Sequence, residues 1–461
     1  MLYIVIFYML AMLLVGWWVG RVYIKGMTDF LLAGRRLGIV LCAATLAATH
    51  FGGGAVMGGG EYGFKYGLSG AWYGVSCGIG LILLGLVTAK KFRDLAFYTV
   101  PDYLERRYGG KTIRALGSLL SIVALIGILA AQVLSARGAL GILGITGNTG
   151  AIIATLVFII YTTAGGLWAV TITDLIQMLL AAIGVILAAN VVLGHTGGFG
   201  GMELLLQSKG VGPEYFSFWG MSTSSIMWLL LPTVMYTLIG QDFYQRLFAA
   251  KSGTTARNAS LVGGVVLVIV SFFPAIMGMG ANALADLEDA SMAVPWILKS
   301  LMGPLLGGVI LAALLAAIMS TADSLLSAAT SHIVKDFWIE IFHVSEVDKE
   351  KELLRVSRIS TFVIGILSLI IALIVPGIID ALIYSYTMYT AGVFVPVIGG
   401  FLWKGATKEG ALASLIIGSI LALWGIIGGV SLFGAPVEIF AALISLIVFI
   451  VVSLFTKKHA S

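Results

Sequence analysis

The sequence is poor in charge. Only 11% of its 461 residues are Asp, Glu, Lys or Arg, and 59% are apolar, whereas an ordinary soluble protein has about 25% charged residues. A soluble enzyme of this length has too little polar surface to cover so many apolar side chains, so that class is excluded. The apolar runs are continuous and do not alternate with polar residues, which also excludes a β-barrel.

Cysteine and histidine are scarce as well. Cys42 and Cys77 are the only cysteines and lie in apolar stretches, which argues against a disulfide framework or a thiolate metal site. The five histidines lack metal-ligand spacing, and no zinc-protease or phosphate-loop motif occurs. We therefore expect no enzyme activity, no cofactor and no nucleic acid partner.

What the sequence has is long apolar segments. A helix that crosses a bilayer needs ~20 apolar residues, and thirteen segments approach this length. The first shows no basic leader or cleavage site, so we expect it to remain as a helix. The sequence predicts an all-α integral membrane protein of one transmembrane domain, 1–461, with spans at 2–20, 38–63, 70–89, 113–136, 148–167, 172–193, 219–244, 259–282, 296–330, 359–378, 380–403, 408–430 and 437–456.

The connections between these spans alternate in charge. Of the 27 Lys and Arg residues, 23 fall in connections on one side and four on the other. The four are Lys65, Arg137, Lys209 and Lys299. The positive-inside rule then places the N-terminus outside and the C-terminus in the cytoplasm, and the same clusters also suit lipid headgroups.

The spans also suggest an internal repeat. Spans 2–6 (38–195) and 7–11 (219–403) form two halves of five spans each, which must be inverted relative to one another. Residues 1–37 would add a first helix, and 404–461 two C-terminal helices. Each half opens with an interrupted helix, at Gly52-Gly53-Gly54 in span 2 and at Pro232 and Gly240 in span 7. Interrupted helices at matching positions favour a binding site near the bilayer midplane, although glycine also permits close helix packing.

Hydroxyl groups lie in the middle of span 9. Ala317, Ser320 and Thr321 share one helix face. Their hydroxyls, with a carbonyl released from the helix, suit a hard cation such as Na⁺. The alternative is that these hydroxyls bond to carbonyls of their own helix or to a neighbouring helix.

A few ionisable and amide residues interrupt the apolar runs. Asp174 at the start of span 6 is either a functional carboxylate or a partner of the helix dipole. Four further polar residues either line a cavity or make hydrogen bonds between helices. They are His50, Glu61, Gln132 and Asp242. Asp323 is expected only to organise the local turn.

Four motifs, in this order, resemble those of the sodium/solute symporter family. They are Asp29-Phe-Leu-Leu-Ala-Gly34-Arg35-Arg36-Leu-Gly38, Tyr161-Thr-Thr-Ala-Gly165-Gly166-Leu-Trp-Ala169 with Thr173-Asp174-Leu-Ile-Gln177, Gly240-Gln241-Asp-Phe-Tyr-Gln245-Arg246, and Ala317-Ile-Met-Ser320-Thr321-Ala-Asp323-Ser324. The resemblance implies a leucine-transporter-like core of five plus five inverted spans.

The resemblance also implies one Na⁺ site and an ion exit. Backbone carbonyls of Ala48, Phe51 and Ala317 and hydroxyls of Ser320 and Thr321 would bind Na⁺, and Asp174 would lie on its cytoplasmic route. The residues Ala48-Thr-His50-Phe-Gly-Gly-Gly54 look most like the choline-transporter branch, but His50 and Gly240 stand where that branch has Trp. Choline recognition needs an aromatic cage, so amino acids, carboxylates, vitamins and other amines remain open.

The function expected from this resemblance is Na⁺-coupled import of a small organic solute by alternating access at the plasma membrane. Solute contacts are expected at His50, Gly52, Gly53, Gln132, Gln241 and Asp242. A proton-coupled symporter and a transporter-like sensor are the alternatives. The sequence does not fix the oligomeric state.

Overall fold

The computed structural model describes residues 1–145, 147–343, 350–375, 377–429, 431–432 and 435–457, and most of these are helical. Within them, ten helices are long and apolar enough to cross a membrane, or eleven if one bent pair counts as a span. The predicted all-α membrane fold is confirmed. The predicted number of thirteen spans is not, because Ile39–His50 and Gly147–Ile160 are shorter than a full span.

The first half of the chain contains ten α-helices, separated by short 3₁₀ and π turns. They are α1 (Leu2–Tyr23), α2 (Met27–Leu32), α3 (Ile39–His50), α4 (Gly59–Tyr66), α5 (Trp72–Val87), α6 (Ala89–Asp94), α7 (Val100–Tyr108), α8 (Lys111–Gly141), α9 (Gly147–Thr196) and α10 (Gly198–Ser208). The turns are Ala33–Arg35, Gly54–Gly58, Gly67–Ala71 and Pro213–Phe216.

The second half contains eleven α-helices and a hairpin of two short antiparallel strands. The helices are α11 (Thr223–Thr237), α12 (Gln241–Ala249), α13 (Gly253–Val270), α14 (Phe272–Leu284), α15 (Ala293–Ser300), α16 (Pro304–Ser331), α17 (Glu350–Ala372), α18 (Ile378–Phe394), α19 (Gly400–Leu402), α20 (Lys408–Gly428) and α21 (Val437–Lys457). The strands are β1 (Ser431–Leu432) and β2 (Ala435–Pro436), with 3₁₀ or π segments at Ala290–Met292, His332–Ile341 and Val395–Gly399.

The helix α16 lies at the centre of the molecule. All its residues from Ile310 to Ser331 are buried, and it packs against α1, α3, α8, α9 and α17. A helix that is apolar around its whole circumference is stable only when surrounded. The hydroxyls of Ser320 and Thr321 are therefore held deep in the protein.

A single glycine divides α9. Gly166 has φ 52° and ψ −167°, a conformation that side chains rarely adopt, and a Cβ there would lie 2.6 Å from the ring of Phe30. The sequence placed this connection at 168–171, a few residues too late. The helix resumes directly after Gly166, so Asp174 lies inside it and not at its first turn.

The chain bends between α11 and α12. The two helices meet at 40° across the break at 238–240. Gly240 has an extended backbone, with φ −65° and ψ 128°, and the predicted interruption there is present. Pro232 lies inside α11, so the interruption predicted at Pro232 is wrong.

One buried ionic cluster joins three elements at the end of the molecule where the basic connections lie. Arg114 of α8 pairs with Asp102 and Glu105 of α7 and with Asp336 at 2.8 Å. Asp336 also accepts hydrogen bonds from Ser118 Oγ at 2.8 Å and from His332 Nδ1 at 2.7 Å. Arg114, counted above as an orientation signal, is only 5% exposed and is a structural residue.

Candidate functional site: a cation junction at a broken helix

The site is built around the end of α3. The helix stops at His50, and the π-helical turn that leads into α4 begins only at Gly54. The Gly53 N–H is turned away from the helix and donates to Gln132 Oε1 of α8 at 2.8 Å. The interruption predicted at 52–54 is present, one residue earlier, at 51–53, and one predicted solute residue, Gln132, lies directly against it.

Two glycines allow this close approach. A Cβ at Gly52 would lie 2.3 Å from Thr321 Oγ1, and a Cβ at Gly53 would lie 2.1 Å from Ser135 Oγ. Real side chains do not approach so closely. The break therefore requires glycine at these two positions for space.

Oxygen atoms of α3 and α16 converge beside the break. Ser320 Oγ lies 3.3 Å from the Ala48 carbonyl and 2.9 Å from the Ala317 carbonyl. Thr321 Oγ1 lies 3.0 Å and 3.3 Å from the same two carbonyls. Four of the five residues predicted for Na⁺ are thus gathered at one junction. The fifth, Phe51, is the buried residue that follows the end of α3.

The chemistry of this junction suits a monovalent cation. Carbonyls in the last turn of a helix have no partner in the next turn, and unwound backbone of this kind binds Na⁺ in transporters. The set has two hydroxyls and backbone carbonyls and carries no formal charge. Among the described residues, no group of three or more His, Cys, Asp or Glu forms a metal site.

Two buried carboxylates lie beyond the junction. Asp174 accepts a hydrogen bond from Thr45 Oγ1 of α3, and Asp323 accepts one from Thr162 Oγ1 at 2.9 Å. Each has a second oxygen with no hydrogen-bond partner in the described part of the chain. Asp174 lies about two turns beyond Gly166, so its interpretation as a helix-start dipole partner is wrong. Asp323 does more than organise a turn, since it contacts a second helix.

A buried arginine accompanies these carboxylates. Arg246 of α12 is 0% exposed. It donates to Ser324 Oγ, to Thr45 Oγ1 at 3.2 Å and to the Asp242 carbonyl at 2.7 Å. Sequence reasoning missed this role, because it counted Arg246 with the basic connections. The available signal was its place in the motif Gly240–Arg246, which begins inside the predicted span 219–244 and runs two residues beyond it.

The predicted solute residues separate into two groups. His50 lies beside the break, with Nε2 2.8 Å from Thr237 Oγ1 and its ring centroid 4.2 Å from that of Phe243, the two rings tilted by 32°. Asp242 accepts from Tyr236 OH at 2.9 Å. Gln241 points away, since its Oε1 accepts from the Val100 N–H at 2.9 Å. The structure therefore gathers His50, Gly52, Gly53 and Gln132, and places Gln241 elsewhere.

Aromatic rings form a wall that the sequence spacing did not reveal. Tyr236 stacks on Tyr386 at 4.4 Å, and Tyr386 OH lies 3.1 Å from Tyr73 OH. A Cβ at Gly54 would lie 3.2 Å from the Tyr73 ring. These tyrosines come from α5, α11 and α18, so only the fold brings them to the break.

A cavity of the size usual for small-ligand sites, about 300–1,000 Å³, lies at the end of the molecule opposite the basic connections. Its volume is 690 Å³, and Met57 and Leu134 lie in its wall close to the break. Its charged lining residues are Glu61, Arg137, Asp289 and Lys299. Glu61 pairs with Lys65 at 2.6 Å, whereas Arg137 and Lys299 have no ion pair within the described ranges. We call this cavity the vestibule.

Comparison with known proteins settles the family. Residues 30–418 match the sequence profile described as "Sodium:solute symporter family". The chain belongs to the sodium:solute symporter family. It is a Na⁺-coupled solute transporter in a membrane and not an enzyme.

Individual relatives agree with this assignment. The high-affinity proline transporter of Bacillus subtilis (strain 168) is 29% identical over 424 residues, covering 88% of each chain. The high affinity choline transporter 1 of Homo sapiens is 27% identical, covering 92% of this chain and 76% of its own. A Na⁺-coupled sialic acid symporter, solved in a substrate-bound outward-open state, has a TM-score of 0.82 at 21% identity over 98% of this chain and 97% of its own. The last comparison shows a shared fold.

Proposed function

We propose that this symporter imports a small carboxylate-bearing solute together with Na⁺ bound at Ala48, Phe51, Ala317, Ser320 and Thr321. The observation that carries the proposal is the convergence of the Ser320 and Thr321 hydroxyls on the Ala48 and Ala317 carbonyls. Because these groups belong to two elements, α3 and α16, an ion bound between them would hold the elements together.

The transport cycle follows from this link. Na⁺ bound at the junction stabilises the arrangement in which the vestibule is open and the basic end is closed. The solute then binds at the break, against Gly53, Gln132 and His50. Movement of the broken helices α3 and α12 against α8 and α16 exposes both ligands to the other side, where Asp174 assists ion exit. With the basic end in the cytoplasm of a plasma membrane, the direction is inward.

The energetics are sufficient for accumulation. A membrane potential of about 100 mV gives ~2.3 kcal/mol per charge, and a tenfold Na⁺ gradient adds ~1.4 kcal/mol. Together they support roughly 500-fold accumulation of a zwitterion per Na⁺. An anion cancels the charge of one Na⁺ and keeps only the gradient term, about tenfold.

The proposed solute class rests on where the charges lie. Arg137 and Lys299 are the cations of the vestibule without an ion pair, and Glu61 is neutralised by Lys65. Near the break, the carboxyl of Asp242 is bound by Tyr236. A cationic solute such as choline would meet these two cations and one carboxylate without an ion pair among the described residues, Asp289, and His50 and Gly240 replace aromatic cage residues. A carboxylate group has cations on its path. Two relatives from Bacillus subtilis are proline transporters, and proline carries a carboxylate, which is compatible with this class.

A proton-coupled symporter is the second candidate. The observation in its favour is the pair of buried carboxylates, Asp174 and Asp323, each with one oxygen that has no partner among the described residues. A proton needs a titratable carrier, which the Ser320 and Thr321 junction lacks. We propose Na⁺ as the coupling ion, with no further cofactor.

The decisive experiment is uptake by purified protein in proteoliposomes. The panel is L-proline, lactate, pantothenate, choline and glucose, each under a Na⁺, K⁺ or proton gradient. We expect Na⁺-driven uptake of a carboxylate-bearing compound. Uptake driven only by the proton gradient would favour the second candidate.

The ion site is tested by the variant Ser320→Ala/Thr321→Ala. We expect a higher Na⁺ concentration for half-maximal uptake, because two oxygen ligands are lost. The matched control is Ser368→Ala, a buried serine bonded only to its own helix at Ile364. An unchanged Na⁺ dependence in a correctly folded double variant would remove the ion-site assignment.

A further inference from the structure

A groove runs along α18 on the surface of the second half of the molecule. The helix α18 packs against α11 on one side and against α21 on the other, and the groove lies between these two neighbours. Its volume is 350 Å³, and it continues along the π-helical segment Val395–Gly399 to the end of α19. We call it the α18 groove.

The α18 groove is a recess and not a level part of the surface. Its floor contains Pro232, Thr390 and Val395, which are buried. Its rim contains Leu402 and Leu443, which are 70% and 51% exposed. Exposed leucines of transmembrane helices face the hydrocarbon of the bilayer. The groove therefore opens towards lipid acyl chains.

The lining favours an apolar occupant. Thr390 is the one polar residue among the described residues of the groove, and its Oγ1 already donates to the Thr387 carbonyl at 3.2 Å. A polar solute would find no free side-chain donor there, and an apolar cavity of this kind holds no water. Hydrocarbon both surrounds this lining and matches its chemistry.

The dimensions of the groove suit a single acyl chain. On α18 and its continuation it extends from Thr390 to Leu402, which is about 18 Å along a helix. One leaflet contributes about half of the ~30 Å hydrocarbon core of a bilayer. A chain that enters at Leu402 therefore reaches the region of the bilayer midplane at the other end of the groove.

A lysine lies at the basic end of the groove. Trp403, which follows Leu402, has an extended backbone with φ −119° and ψ 109°, so the side chains of Leu402 and Lys404 leave the chain on the same side. The Trp403 ring packs on Phe449 at 5.7 Å, whereas Lys404 is exposed. An exposed lysine at the membrane surface attracts anionic lipid headgroups.

We propose that the α18 groove binds one acyl chain of an anionic phospholipid from the leaflet at the basic end, with the lipid phosphate beside Lys404. The chain enters past Leu402 and lies on Val395 and Thr390, between α11 and α21. This site is separate from the vestibule and from the cation junction, and it depends on neither the solute nor the coupling ion. The lipid is a ligand with a defined place on the protein, in contrast to the lipids that surround the helices.

The test is photo-crosslinking in vesicles. Purified protein is reconstituted in phosphatidylcholine with a small fraction of phosphatidylglycerol that carries a diazirine in one acyl chain, and the cross-linked peptides are identified by mass spectrometry. We expect adducts concentrated on the groove residues of α11, α18 and α21. The same diazirine on phosphatidylcholine should give about fivefold fewer groove adducts, which is the effect of one lysine near a membrane surface.

Two variants separate the chain site from the headgroup site. Ala442→Trp fills the groove and should abolish the concentrated adducts. Its control is Ala413→Trp, at an equally half-buried alanine of α20 outside the groove. Lys404→Gln should keep the adducts and remove the preference for phosphatidylglycerol. Its control is Lys251→Gln, the same change of charge at another exposed lysine of the basic end.

The outcomes are distinct. Adducts spread evenly over the helices, or unchanged in Ala442→Trp at the melting temperature of the parent, would overturn the chain site. Equal groove labelling by the two phospholipids would overturn the headgroup assignment. Displacement of the phospholipid adduct by equimolar palmitate would overturn the phospholipid in favour of a free fatty acid. No groove adduct from either probe would overturn the lipid in favour of a second copy of the chain.

Discussion

At the scale of single residues, the site depends on the absence of side chains as much as on their presence. Gly52 and Gly53 bring the backbone of the break against Thr321 and Ser135. Two oxygen-bearing side chains can then contact main-chain atoms directly. Any substitution that adds a Cβ has to displace a neighbouring helix.

Gly53→Ala should strongly impair transport, because its Cβ would lie 2.1 Å from Ser135 Oγ and overpacking of this kind costs ~1–3 kcal/mol. Solute uptake and melting temperature are the measurements. The double variant Gly53→Ala/Ser135→Gly should recover part of the activity. Gly194→Ala is the control, since a Cβ there has no neighbour within 4 Å. Full activity of Gly53→Ala would contradict the observed close approach.

Asp174→Asn should slow net uptake more than it weakens solute binding. The amide can still accept from Thr45 Oγ1, but the negative charge proposed to assist ion exit is lost. Initial uptake rates and solute binding in Na⁺ should be measured on the same preparation. Losses of equal size in both quantities would indicate a structural role.

At the scale of elements, the molecule combines a fixed part with a bent part. The Arg114 cluster joins α7, α8 and the π-helix His332–Ile341 through ion pairs to Asp102, Glu105 and Asp336. The bent helix α12 contacts this part through hydrogen bonds between the Gln241 amide and the backbone at Tyr98 and Val100. Ion pairs therefore hold the first three elements together, whereas α12 is attached to them by neutral hydrogen bonds.

Arg114→Met should lower the melting temperature markedly, because it leaves buried carboxylates unpaired at a cost of ~3–5 kcal/mol. The control is Arg106→Met on the exposed face of the same region, for which surface substitutions predict a change within about 0.5 kcal/mol. Thermal unfolding in detergent compares the two. Equal melting temperatures would mean that the Arg114 cluster does not stabilise the fold.

The sequence predicted elements well where a local pattern decides them. The break at Gly52-Gly53 and the placement of Ser320 and Thr321 on one helix face both follow from short-range spacing. The division of α9 at Gly166 was placed too late, because the conformation of one glycine and its contact with Phe30 decide it. The end of a helix inside a bilayer leaves little trace in hydropathy.

At the scale of the whole molecule, contacts between distant helices could not be predicted. Gln241 shares a motif with Asp242, yet its side chain reaches the backbone at Val100 instead of the break. The tyrosine wall joins Tyr73, Tyr236 and Tyr386 from three helices. Composition predicted the membrane class. Which helix faces contact each other became known only from the structure.

The shortness of α12 has a consequence for the order of release. Nine residues make a lever of about 13 Å, so a rotation at its bend would move the far end by only about 2 Å for every 10°. A small rotation would therefore open a gap wide enough for a bare ion before one wide enough for an organic solute. Sodium would therefore leave first, through a slit, and its departure would release the larger movement that lets the solute follow.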